Sequence, residues 1–210
     1  QSCSPNPKLP QLSPLTRLSN DRLTPRAFAC LTVWHKLVYS MSYHKENYMA
    51  TITVGSFAYS GTFSSRGQSF TPNVSGPDGT GSVGSAQTVN LDNVAIGYAT
   101  SATTNRAQFC YLYETLPTLT DLNNSGTGAL AQSTGFSDDS QGDIFGANTF
   151  CRIWNFDRIA IDPTKKYFLL VSAGQSFRGK SSNPYSGGEL YNLTLTAQTS
   201  DTQFQVSMDD

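Results

Sequence analysis

Charge is scarce in this chain: 14% of its 210 residues are Asp, Glu, Lys or Arg, and the net charge is −1. A nucleic-acid-binding face needs a basic stripe and a polybasic membrane patch needs clustered lysines, and neither is present. Histidine is scarcer still, with His35 and His44 the only two. Residues 49–210 therefore lack the base that a Ser-His-Asp or Cys-His arrangement requires. No G-x-S-x-G, P-loop or C-x-x-C motif occurs, and Cys3, Cys30, Cys110 and Cys151 are too scattered for a zinc spacing. The main apolar run near the start is broken by His35 and Lys36, too short and polar to span a bilayer. Internal repeats, heptads and βαβ alternation are absent as well.

Glycine is missing from residues 1–48, although the chain holds 17. That stretch carries five of the 10 prolines and six Lys/Arg against two acids, a net +4, whereas residues 49–210 carry −5. The composition divides the chain at Met49 into an extension (1–48) and a domain (49–210). Within the extension, Pro25 to Tyr43 reads as a helix with proline in its first turn. It has no secretory cleavage pattern. Three readings of the extension stay open: sequence placed ahead of a natural start at Met49, an organelle transit peptide, or an arm that docks on the domain or on a neighbouring subunit.

What is abundant in the domain is glycine, tyrosine, phenylalanine, serine and threonine, which suits short strands and tight turns. The organising stretch is Cys151 to Ala173: two β-rich runs around Asp162-Pro163, which predicts a hairpin because proline presets the turn and lysines keep its tip wet. Before it, Ile52 and Val54 alternate with threonines, Arg66 to Pro72 reads as a short strand, and Ser75 to Ser85 as a loop. In Gln87 to Thr100 the alternation changes phase at Asp92-Asn93, which predicts a bulge. Arg106 to Thr115 has two apolar faces, Phe109/Tyr111/Tyr113 and Cys110/Leu112, so one of them needs a cover. Leu116 to Ala129 reads as a loop, Leu130 to Phe136 as a strand, Gln175 to Asn183 as a polar edge plus loop, and Asn183 to Gln198 and Asp201 to Ser207 as strands. The prediction is an all-β fold, an antiparallel β-sandwich of jelly-roll type with about eight to ten strands.

Four landmarks in order, Gly67 to Pro72, Trp154 to Ser172, Asn183 to Tyr191 and Asp201 to Val206, resemble a bacterial jelly-roll module. The resemblance covers about residues 57–207. It implies a non-catalytic, carbohydrate-binding-like sandwich of the kind found in surface-anchored, extracellular and phage proteins. The usual setting differs in that neither a secretion signal nor an anchor tail is recognised here.

Sugars stack on the flat faces of Trp and Tyr while polar neighbours take their hydroxyls. Trp154, Tyr185, Tyr191 and Phe177 with Arg178, Asn183 and Glu189 form the expected ligand-binding set, and Tyr185 in its Pro-Tyr-Ser-Gly-Gly turn is expected to be exposed. The competing reading of a lone strand Trp is core. Asp138, Asp139 and Asp143 on a glycine-containing loop are candidate calcium ligands, against a solvated acidic loop. Cys110 and Cys151 lie mid-strand, where either a disulfide or two buried thiols would fit. A hydrolytic carboxylate pair would have to come from Glu114, Asp157 or Glu189. Catalysis is not expected, and no cofactor beyond that calcium. Two functions remain: a recognition module for polysaccharide or extracellular matrix, placed outside the cell or on its surface, or a structural subunit of a virion, filament or surface assembly that packs against its own copies.

Overall fold

The structure is a computed structural model that describes residues 52–77, 88–100, 105–146 and 149–209. The extension 1–48 with its expected helix, Cys3 and Cys30, and most of the Ser75 to Ser85 loop lie outside the described residues. Met49–Asp210 forms a compact unit, and everything below belongs to it.

Twelve strands build one antiparallel sheet. They are β1 (Ile52–Ser56), β2 (Gly61–Phe70), β3 (Val89–Tyr98), β4 (Cys110–Tyr113), β5 (Ala131–Gln132), β6 (Gly135–Asp139), β7 (Phe150–Ile161), β8 (Tyr167–Lys180), β9 (Leu190–Asn192), β10 (Ala197–Gln198), β11 (Asp201–Thr202) and β12 (Phe204–Asp209). A single short helix, α1 (Leu119–Asn123), accompanies them among the described residues. The fold is all-β and antiparallel, as expected, a curled sheet with twelve strands among the described residues. One arm runs β1-β12-β3-β7-β6 and the other β5-β4-β8-β2-β9-β10, with β11 also on β8. The arms join where Tyr98 of β3 pairs with Phe177 of β8.

The core lies between the arms. It takes Val94, Ile96, Trp154, Phe156, Phe204 and Val206 from one arm and Phe70, Leu112, Tyr167, Leu169, Val171 and Phe177 from the other. Each such side chain contributes roughly 1.5–3 kcal/mol by leaving water, and β3 and β12 send alternate residues, Val94, Ile96, Phe204 and Val206 among them, into this core.

β7 and β8 flank the Asp162-Pro163 turn but do not pair with each other, which corrects the hairpin expectation. β7 pairs with β3 and β6, and β8 with β2, β4 and β11. The turn chemistry was right: Asp162 Oδ1 accepts from the Thr164 amide (2.9 Å) and hydroxyl (2.7 Å). That chemistry is local and serves a hairpin or an arch equally. Both strands turn large apolar side chains to one core, and an arch sets them facing across it, where a hairpin would lay them on the same wall.

The bulge expected in β3 is present, as a register shift against β7 between Leu91 and Asn93. A second shift, in β2 between Ser65 and Gly67, follows from a glycine. Gly67 has φ 150, and a Cβ there would run into the Leu169 carbonyl, so the close approach of β2 to β8 needs its bare Cα. The two-faced β4 is covered as its pattern requires. Cys110 and Leu112 join the main core, while Tyr111 and Tyr113 join a second cluster with Leu122, Leu170, Tyr191 and Leu195. The cover is α1, inside the segment expected as plain loop. It starts on a capping box in which the Thr118 hydroxyl accepts from the Asp121 amide and the Asp121 carboxylate accepts from the Thr118 amide.

Gln175 to Lys180 continues β8 where an edge and loop were expected, because its outward residues are polar while Phe177 and Gly179 are buried inward. Between β9 and β10, Asn192 Oδ1 accepts from the amides of Thr194 and Thr196 and Leu195 takes φ 58. This tight turn replaces the strand expected through Leu193 and Leu195.

Candidate functional site

The expected aromatic platform is core. Trp154, Phe177 and Tyr185 are all 0% exposed. Trp154 faces the interior of β7; Phe177 packs edge-on against Tyr98 at 5.0 Å. Tyr185, expected to be exposed, instead packs on Phe204 at 5.2 Å, and its hydroxyl donates to the Thr71 carbonyl while accepting from the Thr71 amide. Tyr191 packs on Phe168 in the second cluster. Of the polar members, Arg178 donates to Thr149 Oγ1 (3.1 Å) and lies over the Tyr59 ring. Glu189 pairs with Lys166 and accepts from Ser69. Asn183, with its amide nitrogen turned inward, donates to both oxygens of Asp201 at 3.0 Å. These seven residues are thus divided among the core, the second cluster and separate surface contacts, and they make no common face.

Asp201 is the centre of a buried polar knot. Besides Asn183, it accepts from Gln68 Nε2 (2.7 Å) and the Tyr185 amide (2.6 Å). Burial pushes its carboxyl up to about 6, against the pull of the Tyr185 and Gln68 hydrogen bonds. A carboxyl whose folded pKa exceeds its unfolded one stabilises the fold most below the unfolded value, and that contribution disappears as pH rises through the folded one. Stability is therefore expected to fall by on the order of 2–3 kcal/mol between about pH 4 and pH 6 from this group. Urea titrations at a series of pH values on the native chain and Asp201→Asn check this; the variant should lose that slope.

The acidic loop is committed to protein partners. Asp138 receives Arg106 Nη1 (2.9 Å) and Arg152 Nη2 (2.8 Å), and Arg152 Nε adds a third bond. Asp139 accepts from the amides of Gln141, Gly142 and Ile144. Asp143 is exposed. Among the described residues no three acidic, His or Cys side chains converge in a metal-holding group, and the Asp138 carboxylate lies between two guanidinium groups.

Cys110 and Cys151 are free and buried, and the bridge is not formed. Cys110 packs in the core on β4, and the Cys151 sulfur lies 3.9 Å from Asp139 Oδ2. Burial pushes both thiols up, Cys151 to about 12. A thiol-reactive reagent should therefore leave the Cys110 and Cys151 peptides unlabelled in native protein and label them in denaturant, as peptide mass spectrometry will read.

Among the described residues, a recess of about 210 Å³ lies beside the join of the two arms. Tyr98, Thr100, Asn105, Arg106, Gly174, Gln175 and Ser176 line it. Its fixed element is Arg106, 7% exposed. The guanidinium lies over the Tyr98 ring at 4.4 Å, donates from Nη2 to the Thr100 carbonyl (2.7 Å) and is held at Nη1 by Asp138. Nε has no partner. Arg152 fixes the far side of Asp138 and donates to the Arg106 and Ala107 carbonyls, with its own guanidinium over Phe136. The recess is a polar pocket beside an anchored guanidinium that covers the buried Tyr98 ring. Glu114, Asp157 and Glu189, the carboxylates considered for hydrolysis, do not line it.

Sequence reading passed over this site. Its available signal was two arginines in strand-like runs, since a charge that folds inward needs a partner. No helix among the described residues is long and apolar enough to cross a membrane. Comparison with family models, with curated proteins and with solved structures finds no match to this chain.

Proposed function

We propose that the domain is a non-enzymatic recognition module that takes one sugar unit of a polysaccharide in the recess between β3 and β8. The observation that carries this is the recess itself: hydroxyl and amide groups of Thr100, Asn105, Gln175 and Ser176 gathered beside the fixed guanidinium of Arg106. Its volume of about 210 Å³ equals roughly seven water molecules at about 30 Å³ each. It is below the roughly 300–1,000 Å³ of drug-sized ligand sites, which suits a single ring. No histidine occurs in residues 49–210, and both described cysteines are inert by burial; this supports binding over turnover. The likeness of its four landmarks to carbohydrate-binding-like modules points the same way, and with it a working place outside the cell or on its surface. A glycan panel on the full chain, followed by amide exchange on any hit, tests the reading: protection should map to residues 98–100, 105–106 and 174–176.

A structural subunit is the second reading, and the feature that favours it is the β4–β5 edge. Phe109, Leu116 and Leu130, 40%, 41% and 48% exposed, flank that edge, and β5 pairs with β4 alone. Self-association there would bury them. Light scattering over a concentration series, with Phe109→Ser and Leu130→Ser introduced together, decides it: a monomer at all concentrations removes this reading.

A further inference from the structure

We infer that Asn183 and Asp201 form a proton-linked switch at the root of the 183–189 segment, in which the Asn183 amide presents its nitrogen to Asp201 when that carboxyl is ionised and its oxygen when it is protonated. Asp201 is fully buried and joins none of the ion pairs among the described residues. Lys180, opposite it in register on β8, is one of the groups that leave it unpaired. The other titratable groups that face it are Glu189, whose charge opposes ionisation, and the Tyr185 hydroxyl, which burial holds protonated. From β2 it meets the uncharged Gln68. Hydrogen bonds alone therefore decide which form of this carboxyl the knot accepts, and a buried charge with no counter-ion is costly enough to leave both forms within reach.

An ionised carboxylate only accepts hydrogen bonds, whereas the protonated acid also has one hydrogen to donate. Two of the three groups around Asp201 cannot follow that change. The Tyr185 amide, 2.6 Å from Oδ2, is a backbone N–H and donates in either state. Gln68 donates from Nε2 to Oδ1 at 2.7 Å, and its Oε1 is held by the Thr202 amide (2.9 Å) and hydroxyl (3.3 Å), so turning it would set two N–H groups against each other. Asn183 is the third, and it is free to turn. Its amide end lies 3.0 Å from each Asp201 oxygen, and its further bond there, to the Tyr185 carbonyl, is long at 3.3 Å. With nitrogen inward it serves the carboxylate. With oxygen inward it accepts the hydrogen that the acid takes up from water, which would otherwise be a buried donor without a partner. Turning also breaks the bond to the Tyr185 carbonyl. Asn183, at φ 43 where the chain enters Pro184 and Tyr185, is thus tied to Tyr185 in the ionised state and released in the protonated one.

The test is a pH titration of the isotope-labelled full chain by nuclear magnetic resonance, from about pH 4 to about pH 8. The Asp201 carboxyl carbon should titrate with a midpoint at about 6. Above that midpoint the Asn183 side-chain N–H groups should be protected from water exchange at least about tenfold more than below it, measured against the exposed Asn124 side chain. In Asp201→Asn that protection should no longer change with pH. Because Asp201 ties β2 and the 183–189 segment to β11, Glu189→Gln supplies a second variant, which removes the other facing carboxyl. There the change in protection should persist with its midpoint moved down, since the Glu189 charge raises that of Asp201. Asn183 protection that stays constant while Asp201 titrates overturns the switch, because the amide then keeps one orientation. An Asp201 carboxyl that does not titrate over this range overturns it as well. So does a change in protection that persists in Asp201→Asn or vanishes in Glu189→Gln, because the proton then resides on another group.

Discussion

Replacing Trp154 by alanine is expected to cost about 3–5 kcal/mol, the range for emptying a large aromatic site in a packed core. Trp154 is 0% exposed, stands between Val94 of β3 and Phe136 of β6 in the sheet, and packs in the main cluster. The loss is from about a fifth to nearly all of a typical domain's stability of about 5–15 kcal/mol, so the variant should unfold at clearly lower urea or fail to accumulate on expression. Trp154→Phe separates volume from polarity. The indole Nε1 is buried without a partner, and removing an unmet donor recovers roughly 1–3 kcal/mol of desolvation cost against the smaller void left by the shorter ring. The phenylalanine variant should therefore lie within about 1–2 kcal/mol of the parent. A loss below about 1 kcal/mol on going to alanine would show that Trp154 is not a core residue, and would return it to the candidates for stacking a ligand.

The second large effect belongs to Asp138. Asparagine at this position leaves two nearly buried guanidinium groups with no anion between them, and breaking a buried pair from one side typically costs about 3–5 kcal/mol. The Asp138 side chain is 20% exposed, so water screens part of this and about 2–4 kcal/mol is expected. Removing the second charge as well distinguishes the cause. Asp138→Asn combined with Arg106→Met should be more stable than Asp138→Asn alone, because one of the two buried cations left without an anion is replaced by an apolar side chain. The same carboxyl sets an acid limit. Hydrogen bonding to Arg152, then its charge, then Arg106 hold it below the ordinary value of 3.8. Its contribution is present above the unfolded pKa and is lost as pH falls through the folded one, below about pH 4. Asp201 works in the opposite direction, losing its contribution as pH rises toward about 6. The two together place an optimum near pH 4 in their joint contribution, which the pH series on the parent, Asp138→Asn and Asp201→Asn will resolve.

The elements that could be read from the sequence were those whose cause is local. The β3 bulge showed as a phase change in alternation, and the two apolar faces of β4 foretold a cover that α1 provides. Asp162, Pro163 and Thr164 announced a turn. None of these states which strand lies beside which, and the arch was misread as a hairpin for that reason. Register and face choice are settled by contacts distant in sequence, so Trp154, Tyr185 and Phe177 carried the same local signature whether they ended in the core or on a binding face. The recess was hidden for the same reason. Tyr98, Arg106 and Gln175 come from three separate segments, and Arg106 meets Asp138 from 32 positions away. Only the closing of the two arms brings them together.

The place of β12 has a consequence for how the chain comes into being. It lies between β1 and β3, so the first described strand and the third are joined through the last. During synthesis β1 has no partner until about 150 further residues have been made, and at roughly 5–20 residues per second that wait lasts on the order of ten to thirty seconds. Through that interval the edges of β1 and β3 stand open in the growing chain, and the arm cannot close by degrees. Its completion is a late, single event, and a ribosome-stalled chain ending before Phe204 should be held by chaperones, whereas one with β12 clear of the exit tunnel should resist protease.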